Sequence, residues 1–544
     1  MLEAKVLSTV LEKARHFVEK GCRSMIQDGP LTPERFRISP CPVSTALALI
    51  SLMAKPAKYS LQLSSGLRYL ENSRNQDGGW GRIPGSPSDE RSSLVCLTAI
   101  NCVQTGLNPE AIQAVGATIG ATWLQDVPRL ILDWPADSPL IKLLQTFITN
   151  ETVSGIFSDI SFEHLPALLA MLPPAGRPLI LALASIRQSE NNRNSRNLQA
   201  AIKRLVTYQS PNGGWCEDIL ITAICILCLS VTGRFPAIQT RGLKWLASVQ
   251  YPSGAWPSFN QLTNWDIGLS ACVLRETGIT QPKLINECAS YLSVRANQDG
   301  SYGTLSPYSF PDLDDTAIAL LGTCAGSREN LNFKETAART GDLLKGLQNR
   351  DGSWGTFPEV TGPPPLCTCQ SPVHIKSVDV TVHVLQSLLK AGIPTSSPYV
   401  QKGFWWLFFH QKWDGSWKST WYTGDAYATA QTLELLSQYN LWPRSRAKAK
   451  NWLLTAQNTN GGWPIGSAGE CGLALTALLK NGDITSSVPI QKGLTYICSR
   501  QNPDGSFKPA YGGLYASGLY YEDPITEALA AIRAIWTYQK AVKK

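Results

Sequence analysis

Two kinds of helical segment alternate along this chain. One is amphipathic and carries its own aromatic residue, as in Gly242-Leu-Lys-Trp-Leu-Ala-Ser-Val-Gln250 and Ala449-Lys-Asn-Trp-Leu-Leu-Thr-Ala-Gln457. The other is apolar nearly all round, as from Leu473 to Leu479. A helix with one wet face suits an outer layer, and one that is dry all round suits an inner layer. Strand signals are nearly absent, so the pattern predicts an all-α fold of paired outer and inner helices.

Between the two kinds a polar-Gly-aromatic turn recurs. It reads Asn75-Gln-Asp-Gly-Gly-Trp80, Gln209-Ser-Pro-Asn-Gly-Gly-Trp215, Gln250-Tyr-Pro-Ser-Gly-Ala-Trp256 and Asn297-Gln-Asp-Gly-Ser-Tyr302. It continues as Gln348-Asn-Arg-Asp-Gly-Ser-Trp354, Gln411-Lys-Trp-Asp-Gly-Ser-Trp417, Gln457-Asn-Thr-Asn-Gly-Gly-Trp463 and Gln501-Asn-Pro-Asp-Gly-Ser-Phe507. The spacing from Trp215 onward, roughly 40 to 60 residues, fits one helix-turn-helix unit per repeat. The Asp-Gly or Asn-Gly pair supplies a turn with positive φ, the aromatic lies on the neighbouring helix, and the glutamine is expected to cap an adjacent helix end.

Such units predict two α/α toroid barrels rather than an open superhelix. The expected division is an N-terminal helix over 1–20 packing on the second barrel, a first barrel over 21–258 and a second over 259–544. The long gap between Trp80 and Trp215, with its Pro-rich 134–139 and Asn/Arg/Ser-rich 188–196 stretches, marks a divergent part of the first barrel.

Composition narrows the classes of function. With 544 residues, 43% of them hydrophobic, a large core is available. A net charge of +8, with one basic run near Lys540 to Lys544, gives no sign of nucleic-acid binding. Glu3, Lys5, Glu12, Lys13 and Arg15 interrupt any signal-peptide core, and no run of 18 apolar residues occurs. A cytoplasmic protein is expected, with room for an apolar patch resting on a membrane surface. The 14 cysteines then read as thiols. Cys225 and Cys228 have zinc-finger spacing but sit in an apolar helical run, which points to packing. Cys367, Cys369 and His374 share a Pro-rich loop and offer only a weak zinc pattern.

The chemistry concentrates in Pro311-Asp-Leu-Asp-Asp-Thr-Ala317, three carboxylates at the head of an apolar run. Asp312 is placed at a helix N-cap, with Asp314 and Asp315 in the first turn. Capping and dipole matching alone account for such a cluster in many helices. A second pair, Asp379 and His383, is four residues apart and shares one helical face.

The eight repeats together with Asp312-Leu-Asp-Asp-Thr-Ala317 resemble the class II terpene cyclases, the family of squalene-hopene cyclases and bacterial class II diterpene cyclases. The resemblance spans nearly the whole chain. It implies that Asp314 is the general acid that protonates a terminal alkene, flanked by Asp312 and Asp315. Asp379-Val-Thr-Val-His383 resembles the segment whose histidine bonds the catalytic aspartate, which makes His383 the acid-tuning partner and Asp379 its orienter. Cation chemistry needs aromatic walls. Trp265, in a Trp-Asp-x-Gly segment like that of the hopene cyclases, is the first candidate, followed by Tyr308, Phe310, Trp421, Tyr422, Tyr520 and Tyr521.

For substrate the resemblance divides. Asp379 to His383 and Glu359-Val-Thr-x-Pro-Pro364 look like the triterpene enzymes. The chain is shorter than those, however, and Trp417 to Thr429 and Gly466 to Ala474 resemble bacterial diterpene cyclases. The first expectation is geranylgeranyl diphosphate cyclised to a bicyclic diterpenyl diphosphate, with Mg2+ and a cationic site to which Arg91 of Asp89-Glu-Arg91 contributes. A squalene-type neutral substrate is the alternative. The same toroid occurs in protein prenyltransferase β-subunits, whose zinc would fall to Cys367, Cys369 and His374. It occurs also in thioester domains, whose Cys-Gly-Glu-Gln order Gly469-Glu-Cys-Gly472 lacks, and in glycoside hydrolases, which paired carboxylates suit. A non-catalytic scaffold would leave Asp314 exposed or salt-bridged.

Overall fold

A computed structural model describes residues 4–28, 32–106, 165, 169, 176–191, 195–305, 310–357, 376–483, 485–515 and 519–543. Among them regular structure is helical apart from one antiparallel hairpin, Gly513–Tyr515 with Leu519–Tyr521. The helices are α1 Ala4–Asp28, α2 Pro42–Leu52, α3 Ser60–Asn72, α4 Glu90–Thr105, α5 Arg177–Asn191, α6 Arg196–Val206, α7 Ile219–Thr232 and α8 Pro236–Ser248. They continue as α9 Thr263–Thr277, α10 Pro282–Arg295, α11 Leu313–Ala325, α12 Leu331–Gly346, α13 Val378–Lys390 and α14 Pro398–Phe409. The remainder are α15 Ala426–Gln438, α16 Pro443–Ala456, α17 Ala468–Lys480, α18 Val488–Arg500 and α19 Pro524–Val542.

The alternation of helix types sorts these into two layers. Helix α11 buries nearly every side chain, whereas α16 buries only Ser445, Ala449 and Leu453. Six apolar helices, α9, α11, α13, α15, α17 and α19, pack in that order, and α19 returns to α9, closing a ring. Outer helices α8, α10, α14, α16 and α18 each carry proline in the first turn, where a missing N–H costs nothing.

Each repeat turn acts as a staple. The indole N–H groups of Trp80, Trp215, Trp256, Trp354, Trp417 and Trp463 donate to the carbonyl of the leucine ten residues earlier, at 2.7 to 3.1 Å. All six rings are fully buried. Truncating a side chain of this kind costs about 3–5 kcal/mol. The glutamine amides tie two turns together instead of capping a helix end. Gln348 Nε2 donates to Gly352 O of its own turn and Tyr399 O in the first turn of α14, and Gln411 and Gln457 repeat the arrangement onto α16 and α18.

The same staples close both rings. Gln250 reaches back to Gln62 in α3, and Gln501 donates to Val10 O in α1. Helix α1 is thus the outer partner of α19. It runs to Asp28, beyond the expected end at 20, and with Phe36 shares the core of the second barrel. The first barrel's core spans Cys41 to Trp256. Between the barrels, Arg37 donates to Asn260, whose amide donates to Glu217 Oε2 at 2.8 Å.

Candidate active site

The inner helices of the second barrel run side by side in the same direction. Residues near their N-terminal ends meet one another, as His383 in the second turn of α13 meets Asp314 and Tyr427 in the first turns of α11 and α15. Residues further along meet likewise, as Arg533, midway along α19, meets Glu276 and Glu434 toward the C-terminal ends of α9 and α15. Six helix N-termini therefore share one rim, which favours negative charge there. The other rim is sealed by ion pairs. Burial works to raise the Glu276 carboxyl, but Arg533 and Lys480 outweigh it and hold it at about 2.

Asp312 is the N-cap of α11, as its sequence suggests, and its Oδ1 accepts the N–H groups of Asp314 at 2.9 Å and Asp315 at 2.8 Å. That fixes the first turn and turns the Asp314 carboxyl toward α13. There His383 Nδ1 lies 2.7 Å from Asp314 Oδ1, and His383 Nε2 lies 3.0 Å from the Tyr427 hydroxyl. Burial, foremost, keeps the Tyr427 phenol protonated, so its O–H can donate to Nε2. The imidazole then carries its proton on Nδ1 and donates to Asp314 Oδ1. Asp314 Oδ2 is the carboxyl oxygen that His383 does not engage. The Asp314 side chain retains 14% exposure, whereas that of His383 is 1% exposed.

Burial first, and then the neighbouring Asp315 charge, pushes the Asp312 carboxyl well up; burial pushes Asp315 up to about 7. Three carboxyls crowded on one turn cannot all ionise, so protons are retained at this rim.

Asp379 does not orient the histidine directly. Its Oδ2 accepts the backbone N–H groups of Thr420 and Trp421, at 2.6 and 3.0 Å. It holds the loop that brings Tyr422 onto Tyr427, whose rings stack at 3.5 Å. The hydrogen-bond partner at Nε2 is Tyr427, which sequence reading passed over; it stands at the start of α15, 44 residues from His383. The signal available was a lone tyrosine among alanines in Ala426-Tyr-Ala-Thr429.

Of the proposed aromatic wall, Trp265, Tyr422 and Tyr521 line one cavity with Tyr427. The Trp265 ring lies 5.4 Å from the His383 ring, edge to face, and its indole N–H donates to Thr526 Oγ1 at 3.2 Å. Phe310 is elsewhere, in a groove near Gln209 and Asn297 with its ring 6.3 Å from that of Tyr208. Trp421 turns its indole to Thr356 Oγ1 at 2.7 Å, outside the cavity lining. Tyr520 pairs with Leu514 in the hairpin and does not line the cavity. Tyr308, Cys367, Cys369 and His374 fall outside the described residues, as does the side chain of Arg91, whose backbone lies in the first turn of α4.

The cavity encloses about 40 Å3, room for about three water molecules. A larger ligand enters only as the lining side chains move. Also on its lining, and unforeseen, are Glu470, Glu522, Asp523 and Glu527, with no lysine or arginine among the lining residues.

The squalene-hopene cyclase C-terminal domain matches residues 296–521, and the prenyltransferase alpha-alpha toroid domain matches residues 179–309. The chain is similar to class II terpene cyclases. Among its relatives, a squalene-hopene cyclase of Zymomonas mobilis is 27% identical over 39% of this chain and 36% of its own length. A drimenyl diphosphate synthase of Streptomyces showdoensis is 24% identical over 59% of each chain. The chain thus spans about a third and about three fifths of those two relatives. The solved ent-copalyl diphosphate synthase of Streptomyces platensis shares the fold, with a TM-score of 0.57 over 96% of this chain and 99% of its own, at 16% identity.

Proposed function

We propose that the protein is a class II terpene cyclase, an isomerase that protonates the terminal alkene of a linear polyprenyl chain through Asp314 and lets the resulting cation close rings. The observation that carries this is the Asp314–His383–Tyr427 chain of hydrogen bonds, whose Tyr427 end lines an aromatic cavity. An alkene is a very weak base, so its acid must be strong yet protonated at rest. The His383 N–H stabilises the carboxylate as the proton leaves Oδ2. The faces of Trp265, Tyr422, Tyr427 and Tyr521 then stabilise positive charge without bonding to it.

For the substrate, geranylgeranyl diphosphate stays the first reading, on the Trp417 to Thr429 and Gly466 to Ala474 segments and the likeness to a drimenyl diphosphate synthase. One observation favours a neutral squalene-like chain instead: the cavity lining bears four carboxyls and no cation. A diphosphate would have to stay outside it. Magnesium finds no support in the residues first suggested for the diphosphate site. Asp89 caps α4, accepting the Ser92 N–H at 2.9 Å, and pairs with Arg82. No group of three or more His, Cys, Asp or Glu side chains suited to a metal occurs among the described residues. No step is assigned to the ion.

No helix among the described residues is long and apolar enough to cross a membrane. Contact with a lipid surface is proposed through α14 and the turn after it, where Trp405, Phe409 and Trp413 are exposed beside Lys402 and Lys412.

The test is turnover of geranylgeranyl diphosphate and of squalene, with and without EDTA, by the wild-type protein and by Asp314→Asn. The amide keeps the shape of the carboxyl but has no acid proton, so product should vanish while the melting temperature holds. Normal turnover by Asp314→Asn would end the assignment. Full activity on squalene in EDTA, with none on geranylgeranyl diphosphate, would select the neutral substrate.

A further inference from the structure

The cavity contains a group that protonation does not use. Glu470 stands in the first turn of α17, where its N–H donates to Ser467 Oγ at 2.7 Å. Its Oε2 accepts the Ile465 N–H at 2.9 Å. Its Oε1 has no hydrogen-bond partner, although the residue is only 6% exposed. Glu527, in the first turn of α19, lines the same cavity and accepts the Gly469 N–H at 2.6 Å. A buried carboxyl oxygen without a donor or a cation is costly to keep. Glu470 itself stands on the lining shared with Trp265, Tyr422, Tyr427 and Tyr521.

Its place in the ring gives that oxygen a task. Helix α17 is three positions from α11 in a closed ring of six, so Glu470 and Asp314 belong to opposite sides of the ring, and Asp314 connects to the cavity lining through His383 and Tyr427. A cascade that begins by gaining a proton at one wall leaves a carbocation displaced along the substrate. That cation must lose a proton or take up water.

We propose, building on the cyclase reading above, that Glu470 is the base that ends the cascade. A C–H bond on the carbon next to the cationic centre breaks, and its electron pair becomes the new C=C bond. The proton forms an O–H bond at Glu470 Oε1. One proton enters through Asp314 and one leaves through Glu470, so substrate and product are isomers and no co-reactant is consumed. Burial, with the Glu527 charge adding to it, pushes the Glu470 carboxyl up to about 8; burial pushes Glu527 up to about 7. Near neutrality the pair therefore shares protons and charge, and a cation in the cavity draws the charge onto the oxygen that faces it.

The experiment compares the full-length wild type with Glu470→Gln, Glu470→Asp and Asp314→Asn on geranylgeranyl diphosphate and squalene, identifying products by mass spectrometry. Glu470→Gln should cut the share of alkene product about tenfold or more, with alcohols or other alkene isomers in its place, and slow substrate consumption less than it changes the product. Glu470→Asp should restore part of the original alkene. An unchanged product set from Glu470→Gln, or a wild-type product that is solely an alcohol, overturns the proposal. So does loss of consumption in both Glu470 variants at unchanged melting temperature. A wild type inert on both substrates removes the cyclase reading as well, whereas an active wild type with an unaltered Glu470→Gln removes this proposal alone.

Discussion

With its O–H donated to Nε2, Tyr427 selects the His383 tautomer that bonds Asp314 Oδ1 and leaves Oδ2 unengaged. Replacing it with Phe removes one neutral hydrogen bond, worth about 1 kcal/mol, so cyclisation should slow by about fivefold. The measurement is single-turnover product formation, with circular dichroism to show the fold intact. The pairing of Asp314 with His383 was legible because each belongs to a compact local pattern, Asp312 to Asp315 and Asp379 to His383. Tyr427 was not, since its partnership exists only after α13 and α15 pack. Asp379 was misread for a related reason. Four residues of separation put two side chains on one face, but the backbone N–H groups of Thr420 and Trp421 were nearer donors. The buried carboxyls also set a pH response. Asp315 and Glu527 at about 7, Glu470 at about 8 and Asp379 at about 6 all lie above their unfolded values near 4, burial being the chief cause. The folded state then binds more protons than the unfolded state between about pH 4 and 8, so stability falls as pH rises through that window. Thermal melts should show the midpoint dropping steadily from pH 5 to pH 8; a midpoint that rises would show these groups ionised in the fold.

The helices and their staples repay the sequence pattern most fully. Each Gly-aromatic turn was visible as a repeat, and its geometry explains why the glycine recurs. Gly415 has φ of +96°, and a Cβ there would stand 2.6 Å from the Lys448 carbonyl oxygen in α16. Gly352 against Lys402 and Gly461 against Lys492 repeat the approach at 2.5 and 2.4 Å. Gly415→Ala should therefore cost about 1–3 kcal/mol, from the disfavoured backbone and the forced shift of α16. A thermal melt of the variant checks this, with a fall of about 2 to 4 °C expected per kcal/mol. What the repeat could not reveal was the second use of its glutamine. The amide reaches a carbonyl of the following unit, and no local spacing announces a bond across 34 or 51 residues.

At the scale of the whole molecule, two closed rings follow from helix pairs whose inner members are dry on every side, and that much the alternation of segments foretold. The membership of α1 was legible only in part, because amphipathicity says that a helix docks without saying where. Helix α1 supplies Leu7, Val10, Ala14, Phe17 and Val18 to the second core, and Lys13 O lies where a Cβ on Gly505 would fall. Deleting residues 4–28 should uncover α19, lower the melting temperature by well over 10 °C and abolish cyclisation. Cyclisation at the full rate by the truncated protein would show the inner ring to be sufficient.

The closure between Val10 and Gln501 also orders events in time. Those partners are 491 residues apart, and translation at about 5–20 residues per second separates their synthesis by about 25 to 100 s. The staple from Gln250 to Gln62 spans only 188 residues. The first ring thus completes its circle on the ribosome while α1, made before any of it, waits with an apolar face unmet. Nascent chains halted after residue 300 should accordingly bind a holdase chaperone through α1, and release it once Gln501 has emerged.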